Sequence, residues 1–346
     1  MDQLQFKERL QLLRYFRDSF DDSSEAWQSA VQLAYQKNAW FTPENIKQAW
    51  KAIVATYFNE DNLSEVSKRY PKIVHLSAPK DVGIVMAGNI PLVGFHDLLC
   101  TFLSGHVAHV KLSSKDEVLI PFIVDQLTEI DPRFSTYVHF EDQLKGLDGY
   151  IATGSNNSVR YFQTYFGKYP SIIRHSRSSI AILDGQESDE ELIALGGDVF
   201  SYFGLGCRSV SKLYVPQGYN FERMLGLWQE HFIDIIHHNA YMNNYDYSYA
   251  LYLLNKVPFL MNGCVLITED KQLVSRIAML HYEQYKDQDD VTHKISPIEK
   301  DIQCIVSRTD QVPDLTTVPM GSAQLPDFFD YADDIDTLSF LIDLDS

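Results

Sequence analysis

The chain has 346 residues, 45% of them hydrophobic and 13% aromatic, which is enough for two domains with packed cores. A formal net charge of −18 argues against binding to nucleic acid or to anionic membranes. The sequence has no apolar run long enough to span a membrane, and its charged N-terminus is unlike a signal peptide. The four cysteines show no CxxC pair or metal-ligand spacing, so we expect reduced thiols, no metal site and a cytoplasmic protein.

Three helices are predicted at the N-terminus, over residues 3–20, 24–37 and 43–58. Ser24 and Thr42 are residue types that cap the first turn of a helix by accepting backbone hydrogen bonds. Pro43 suits the first helical position.

Beyond residue 82, short apolar runs alternate with longer helical patterns. The predicted strands are residues 83–88, 107–112, 135–140, 149–154, 171–175 and 178–183. The predicted helices between them are residues 91–105, 116–130 and 155–168. This alternation is typical of a parallel α/β sheet.

The second half of the chain continues the α/β pattern. The predicted helices are residues 188–203, 221–236 and 238–255, and the predicted strands are residues 211–216, 264–268, 278–282 and 302–307. The polar region 283–299 is predicted to be a long loop. A boundary between a nucleotide-type domain and a second α/β domain falls most naturally near residues 176–188.

Two windows, residues 149–183 and 199–221, contain no Asp or Glu although the chain is strongly acidic. Their cations are Arg160, Lys168, Arg174, Arg177, Arg208 and Lys212. The windows either form buried strands, where acids are scarce, or surround a bound polyanion. The sequence leaves both explanations open.

Three motifs place polar side chains at the ends of predicted strands or directly after them. In AGNIPL, Asn89 can offer an amide donor to an oxyanion or form an Asx turn. In VKLSSK, Lys111 can reach a ribose or phosphate or extend into solvent. In YIATGSNN, Gly154 and Ser155 open a helix whose N-terminus can hold a phosphate, or Ser155 only caps that helix. For each motif alone, the structural alternative is favoured.

Cys207 lies in the turn SYFGLGCRS, after two glycines and before Arg208. The adjacent cation and the lack of acids favour a reactive thiolate. Cys100, Cys264 and Cys304 instead lie in apolar runs typical of core thiols. The contrast predicts that Cys207 is a nucleophile rather than a buried small hydrophobe.

Taken in order, AGNIPL, VKLSS, ATGS and the cysteine turn resemble the aldehyde dehydrogenase superfamily. FSYFGLGCRSVSKLYVP and GSAQLPDFFDYADDIDTLSFL more closely resemble the acyl-CoA reductase family, which includes the long-chain fatty acyl-CoA reductase of bacterial bioluminescence systems. The resemblance covers residues 82–346. It implies an aldehyde dehydrogenase-like α/β fold: N-terminal helices and a parallel-sheet dinucleotide-binding domain (1–180), a catalytic cysteine domain (181–325) and a C-terminal tail (326–346).

The resemblance implies catalytic roles by position. Cys207 matches the nucleophile that takes the acyl group as a thioester. Asn89 matches the asparagine whose amide holds the oxyanion together with the Cys207 N–H. In aldehyde-oxidising relatives a glutamate activates water, but the corresponding stretch here, RHSRSSIAIL, has no acid. Hydrolysis of the thioester should therefore be slow, and His175 is a candidate proton donor.

The resemblance also implies cofactor contacts. Gly154 and Ser155 match the pyrophosphate contacts, and Lys111 and Ser113 match the adenine-ribose contacts. Many NAD-using relatives carry a ribose-binding glutamate where this chain has Ser114, so NADPH is the expected cofactor. Glu299 is the nearest candidate by spacing for the glutamate that holds the nicotinamide ribose.

Together these features predict NADPH-dependent reduction of an acyl-CoA to an aldehyde, within fatty acid metabolism, through an acyl-enzyme on Cys207. The partner is then a small acyl-CoA substrate, and the resemblance suggests dimers or larger homo-oligomers. Two alternatives stay open. Cys207 can serve an acyl transferase or thioesterase without hydride transfer, or the chain can be an inactive binding partner that keeps the fold.

Overall fold

The computed structural model describes residues 3–75, 78–308 and 315–344. The chain forms two compact units. The first unit comprises Met1–Ser176 and Asp327–Ser346, and the second comprises Arg177–Pro326. The C-terminal tail, Asp327–Ser346, thus groups with the first unit.

The N-terminal helices of the first unit are α1 (Phe6–Ser19), α2 (Glu25–Lys37), α3 (Pro43–Thr56) and α4 (Glu60–Arg69). Ser24 and Thr42 cap α2 and α3 as predicted, each accepting a backbone N–H bond. Sequence reasoning missed α4, which Asn59 caps by accepting from the Asp61 N–H. Trp27 of α2 packs against Phe122, with ring centroids 5.4 Å apart, and so joins these helices to the α/β part of the unit.

The first sheet is parallel throughout, as predicted. Its strands are β1 (Asp81–Val85), β2 (Val107–Lys111), β3 (Val138–Phe140), β4 (Gly149–Thr153) and β5 (Ser171–Arg174), in the order β3-β2-β1-β4-β5. Its helices are α5 (Phe95–Ser104), α6 (Leu119–Ile130) and α7 (Asn156–Phe166). The strand order reverses direction between β1 and β4, and α/β sheets bind ligands at such a switch point, beyond the carboxyl ends of the strands.

Helix α5 begins later than the predicted start at Pro91. Leu92 has a left-handed backbone with φ 61°, which interrupts any helix through it. Gly94 is the N-cap, and the helix begins at Phe95.

The second unit contains a mixed sheet. Its strands are β6 (Ser178–Ile182), β7 (Val210–Pro216), β8 (Leu260–Met261), β9 (Leu266–Glu269), β10 (Met279–Tyr285) and β11 (Ile302–Val306), in the order β11-β6-β7-β10-β9-β8. Only the short β8 runs antiparallel to its neighbour among the described strands. The helices are α8 (Asp189–Phe200), α9 (Glu222–Phe232), α10 (Asn239–Leu254) and α11 (Gln288–Ile295).

The prediction of a long loop over residues 283–299 is wrong. Strand β10 continues to Tyr285, α11 comes next, and a 3₁₀ helix covers Ser296–Asp301. Glu283 can lie in a strand because its carboxylate pairs with Lys212, at 2.9 Å, and with Lys294, at 2.5 Å.

The C-terminal tail contains a short 3₁₀ helix (Ala332–Asp334) and helix α12 (Thr337–Asp343). Phe328, Leu338 and Leu341 are fully buried in the core of the first unit. Among the described residues, no helix has the length and apolar character that crossing a bilayer requires.

Candidate active site

The turn after β4 carries the Gly154–Ser155 pair that the sequence singled out. Ser155 is exposed and caps α7, its hydroxyl accepting from the Ser158 N–H at 3.3 Å, so this predicted cap is confirmed. A Cβ on Gly154 would lie 2.8 Å from the Phe162 ring, so any larger residue here would require the Phe162 side chain to shift. The first N–H groups of α7 therefore come directly after the carboxyl end of β4, an arrangement that suits an anion.

The loops after β1 and β2 approach each other at the same edge of the sheet. A Cβ on Gly88 would lie 2.5 Å from the Ser113 hydroxyl, so the two loops are in close contact. Lys111 is exposed at the end of β2, and Ser114 is exposed beyond it. Asn89, in the β1 loop, is half-buried.

Asp116 ties these two loops together and was missed by sequence reasoning. Its Oδ2 accepts from the Leu92 N–H at 2.9 Å, which holds the left-handed turn after Asn89. Burial raises the pKa of this carboxyl to about 6, although the backbone hydrogen bond lowers it. The available signal was an acid at the very start of a predicted helix, where a side-chain oxygen often accepts backbone hydrogen bonds.

Cys207 lies in the second unit, between the 3₁₀ helix Ser201–Gly204 and β7. It is partly exposed, whereas Cys100, Cys264 and Cys304 are buried, as predicted for core thiols. Burial raises the pKa of Cys100 well above its ordinary value and that of Cys264 to about 11. The Ser179 hydroxyl donates to the Cys207 carbonyl at 2.9 Å and so fixes the turn against β6.

The backbone before Cys207 is left-handed over three residues. Tyr202, Phe203 and Gly204 have φ values of 53°, 58° and 74°. Such values cost about 1 kcal/mol or more for each non-glycine residue, so packing must hold them. Tyr202 is buried, and the Phe203 ring stacks on His238 with centroids 4.1 Å apart. The sequence pointed to the glycines, whereas two aromatic residues carry most of this strained turn.

The structure divides the predicted site residues between the two units. One group lies at or just beyond the carboxyl ends of the neighbouring strands β2, β1 and β4 of the first sheet: Asn89, Lys111, Ser113, Ser114, Gly154 and Ser155. Cys207 comes just before β7. Glu299 lies on an exposed 3₁₀ helix just before β11. Both residues therefore lie toward the amino ends of the two strands that flank β6. His175 comes directly after β5 in the first unit, and its backbone N–H donates to Asp333.

Several cations of the acid-free windows make internal contacts. Arg174 is buried and pairs with Asp97 at 2.7 Å, and Lys212 is buried and pairs with Glu283. Arg177 donates to the Ile302 carbonyl. These side chains therefore stabilise the protein's own structure, and they do not support the interpretation that the windows surround a polyanion.

A family model described as acyl-CoA reductase (LuxC) matches residues 22–224. A search of curated proteins finds no match. Among solved structures, the chain is similar to the aldehyde dehydrogenase KauB from Pseudomonas aeruginosa, with a TM-score of 0.62 and 13% identity, covering 90% of this chain and 73% of that one. It is also similar to the Delta-pyrroline-5-carboxylate dehydrogenase from Mycobacterium tuberculosis, with a TM-score of 0.61 and 14% identity, covering 98% and 77%. At these identities the likeness shows the fold alone, and it confirms the expected aldehyde dehydrogenase-like architecture.

Proposed function

The chain is an oxidoreductase of the acyl-CoA reductase (LuxC) family, and from this premise we propose that it reduces a fatty acyl-CoA to the aldehyde with NADPH, through a thioester on Cys207. The observation that carries the proposal is the contrast among its thiols. Cys207 alone among the four cysteines is partly exposed, and it comes after a strained turn. Backbone strain of this kind is concentrated at functional sites.

In the proposed reaction, the Cys207 thiolate attacks the thioester carbonyl, the carbon–sulfur bond to CoA breaks, and CoA leaves as a thiolate. NADPH, when bound, supplies the hydride that reduces the acyl carbon. The bond between that carbon and the Cys207 sulfur then breaks, which releases the aldehyde and restores the thiolate. The Cys207 N–H and the Asn89 amide are the proposed donors to the oxyanion.

The first unit offers features that fit a dinucleotide. Its parallel sheet changes strand order between β1 and β4, and the Asn89 loop and the Gly154–Ser155 turn come after those two strands. Phosphate on the N-terminus of α7 would meet backbone N–H groups and the positive end of the helix dipole. Lys111 and Ser113 are proposed to contact the adenine ribose.

The preference for NADPH over NADH rests on the loop after β2. Ser114 and Lys115 are both exposed there, and neither would repel a 2′-phosphate. Glu299 is proposed to hold the nicotinamide ribose.

The proposed direction of reaction rests on how the acyl-enzyme can react. Residues 174–183 contain no acid, and β6, within this stretch, is buried along its whole length. This stretch therefore offers no carboxylate base to activate water against the thioester. Transfer of hydride, or return of the acyl group to CoA, is then the expected fate of the acyl-enzyme.

The test mixes the protein with acyl-CoAs of increasing chain length and NADPH, and monitors nicotinamide absorbance and free thiol together. Equal amounts of NADPH oxidised and CoA released are expected. Cys207→Ala should abolish labelling by radioactive acyl-CoA while retaining NADPH binding. Cys304→Ala, the same change at a buried cysteine, is the matched control and should still be labelled.

Two outcomes would contradict the proposal. Thiol release without NADPH oxidation would indicate an acyl transferase or thioesterase. Nucleotide binding without any labelling of Cys207 would indicate a binding protein that keeps the fold.

A further inference from the structure

The C-terminal tail is a distinctive motif to which the proposed reaction assigns no role. It is anchored to the first unit by polar contacts as well as by its buried apolar side chains. The Tyr70 hydroxyl donates to Asp336 at 2.7 Å, and the His96 ring lies 2.9 Å from the Phe328 carbonyl. His106 contacts the Leu341 carbonyl at 2.8 Å.

One of these tail contacts reaches the end of β5. Arg174 has only 4% of its side chain exposed. Its Nη1 donates to both carboxylate oxygens of Asp97, at 2.8 and 2.7 Å, and its Nη2 donates to the Thr337 hydroxyl at 2.7 Å. Thr337 is itself fully buried at the first position of α12. The guanidinium of Arg174, the last residue of β5, therefore links this strand to α5 and to the tail.

The main chain at Arg174 also adjoins the proposed phosphate-binding turn. The Arg174 carbonyl accepts from the Gly154 N–H at 3.4 Å, and Thr153 is paired in register with Arg174. The next residue, His175, donates its N–H to the Asp333 carboxylate at 3.2 Å. The tail thus holds the end of β5 through both a side chain and the backbone, one hydrogen bond away from Gly154.

We propose that the C-terminal tail is a positioning element of the nucleotide site, acting through Thr337 and Arg174 on the Gly154–Ser155 turn. This inference rests on the proposed function, because it assumes that the turn binds the NADPH pyrophosphate. It gives the tail a role and gives a reason for the buried cation Arg174 at the end of β5.

The test compares Thr337→Val with wild type in the full-length protein. Valine keeps the shape of threonine but removes the oxygen that accepts from Arg174. The net contribution of one hydrogen bond corresponds to a change of roughly twofold to tenfold in an equilibrium constant, so we expect the Kd of NADPH to rise roughly threefold to tenfold. Hydrogen exchange at the amides of residues 154–158 should accelerate even without nucleotide, whereas kcat should change less than the KM for NADPH.

Two variants separate positioning from loss of stability. Thr337→Ser restores the hydroxyl and should return both readouts to wild-type values. Tyr70→Phe removes two different tail contacts, the hydroxyl's hydrogen bonds with Asp336 and Tyr331, and should lower the Tm without changing NADPH affinity or exchange at residues 154–158.

Unchanged exchange at residues 154–158 in Thr337→Val would overturn the proposal. So would a Kd that tracks the Tm equally in Thr337→Val and Tyr70→Phe. If wild type binds no NADPH, the proposed function fails, and the exchange measurement still decides whether the tail controls the turn.

Discussion

The buried ion pair between Asp97 and Arg174 gives the sharpest stability prediction for the first unit. The two side chains are 10% and 4% exposed, and Arg174 makes two hydrogen bonds to the carboxylate. Asp97→Ala removes this carboxylate and leaves the guanidinium buried without it. Breaking such a pair from one side costs about 3–5 kcal/mol, a large fraction of a typical domain stability of about 5–15 kcal/mol.

Removing both charges should cost much less than removing one. In the double variant Asp97→Leu/Arg174→Met, side chains of similar size replace the pair, and no guanidinium is left buried without its carboxylate. Replacement of a buried pair by apolar residues is often close to neutral. We therefore expect the free energy of unfolding of the double variant to exceed that of Asp97→Ala by about 2 kcal/mol or more.

Urea unfolding monitored by tryptophan fluorescence measures this difference. Trp27, Trp40 and Trp50 lie in the first unit and Trp228 in the second, so the signal reports mainly on the unit that contains the pair. A double variant no more stable than Asp97→Ala would refute the reasoning, because the cost would then come from lost packing rather than from an unpaired charge.

Two further predictions concern Asp116 and Phe203. Burial raises the pKa of Asp116 from 3.8 to about 6, so the folded chain keeps its proton to a higher pH than the unfolded chain does. The stability that this group contributes is therefore fully present below about pH 4 and is lost as the pH rises through about 6. Asp116→Asn should remove this pH dependence, which amounts to roughly 3 kcal/mol in the free energy of unfolding. Free energies of unfolding that change in parallel for the two proteins between pH 4.5 and 7.5 would contradict the prediction. At Phe203, with φ 58°, Gly should give a protein about 1 kcal/mol more stable than Ala, because glycine adopts left-handed backbone without strain. Thermal unfolding of Phe203→Gly and Phe203→Ala decides this, and an equal or higher Tm for the alanine variant is the adverse result.

Local signals in the sequence predicted the structure where local interactions decide it. The caps by Ser24, Thr42 and Ser155 were predictable because the capping side chain and the N–H that it accepts from lie within one helical turn. Strands β1 and β4 were predictable because they are buried along most of their length, and buried parallel strands are largely continuous apolar runs. The loops that carry Asn89 and Gly154 could then be placed at the ends of those strands.

Elsewhere the deciding contacts are distant in sequence. Glu283 is acceptable in β10 because Lys212, on another strand, pairs with it, and a polar segment alone gives no sign of that partner. The late start of α5 depends on Leu92, whose N–H is held by Asp116. Residues 91–94 looked helical because proline is common at a first helical position, but that preference is weaker than the tertiary contact.

The acid-free windows show why a local charge count does not identify a ligand. A segment rich in cations attracts anions only if those cations are exposed to solvent and are not paired with carboxylates. Arg174 and Lys212 instead form ion pairs with Asp97 and Glu283, two carboxylates that lie outside the windows in sequence. Acids are rare in a buried strand because burying an unpaired charge costs free energy. For the same reason, a cation in a buried strand needs a carboxylate partner. In β4, β6 and β7 the scarcity of acids was therefore a signal of burial. The case for an anion site rests on Lys111, Lys115 and the N-terminus of α7, where cations and N–H groups occur at an exposed edge.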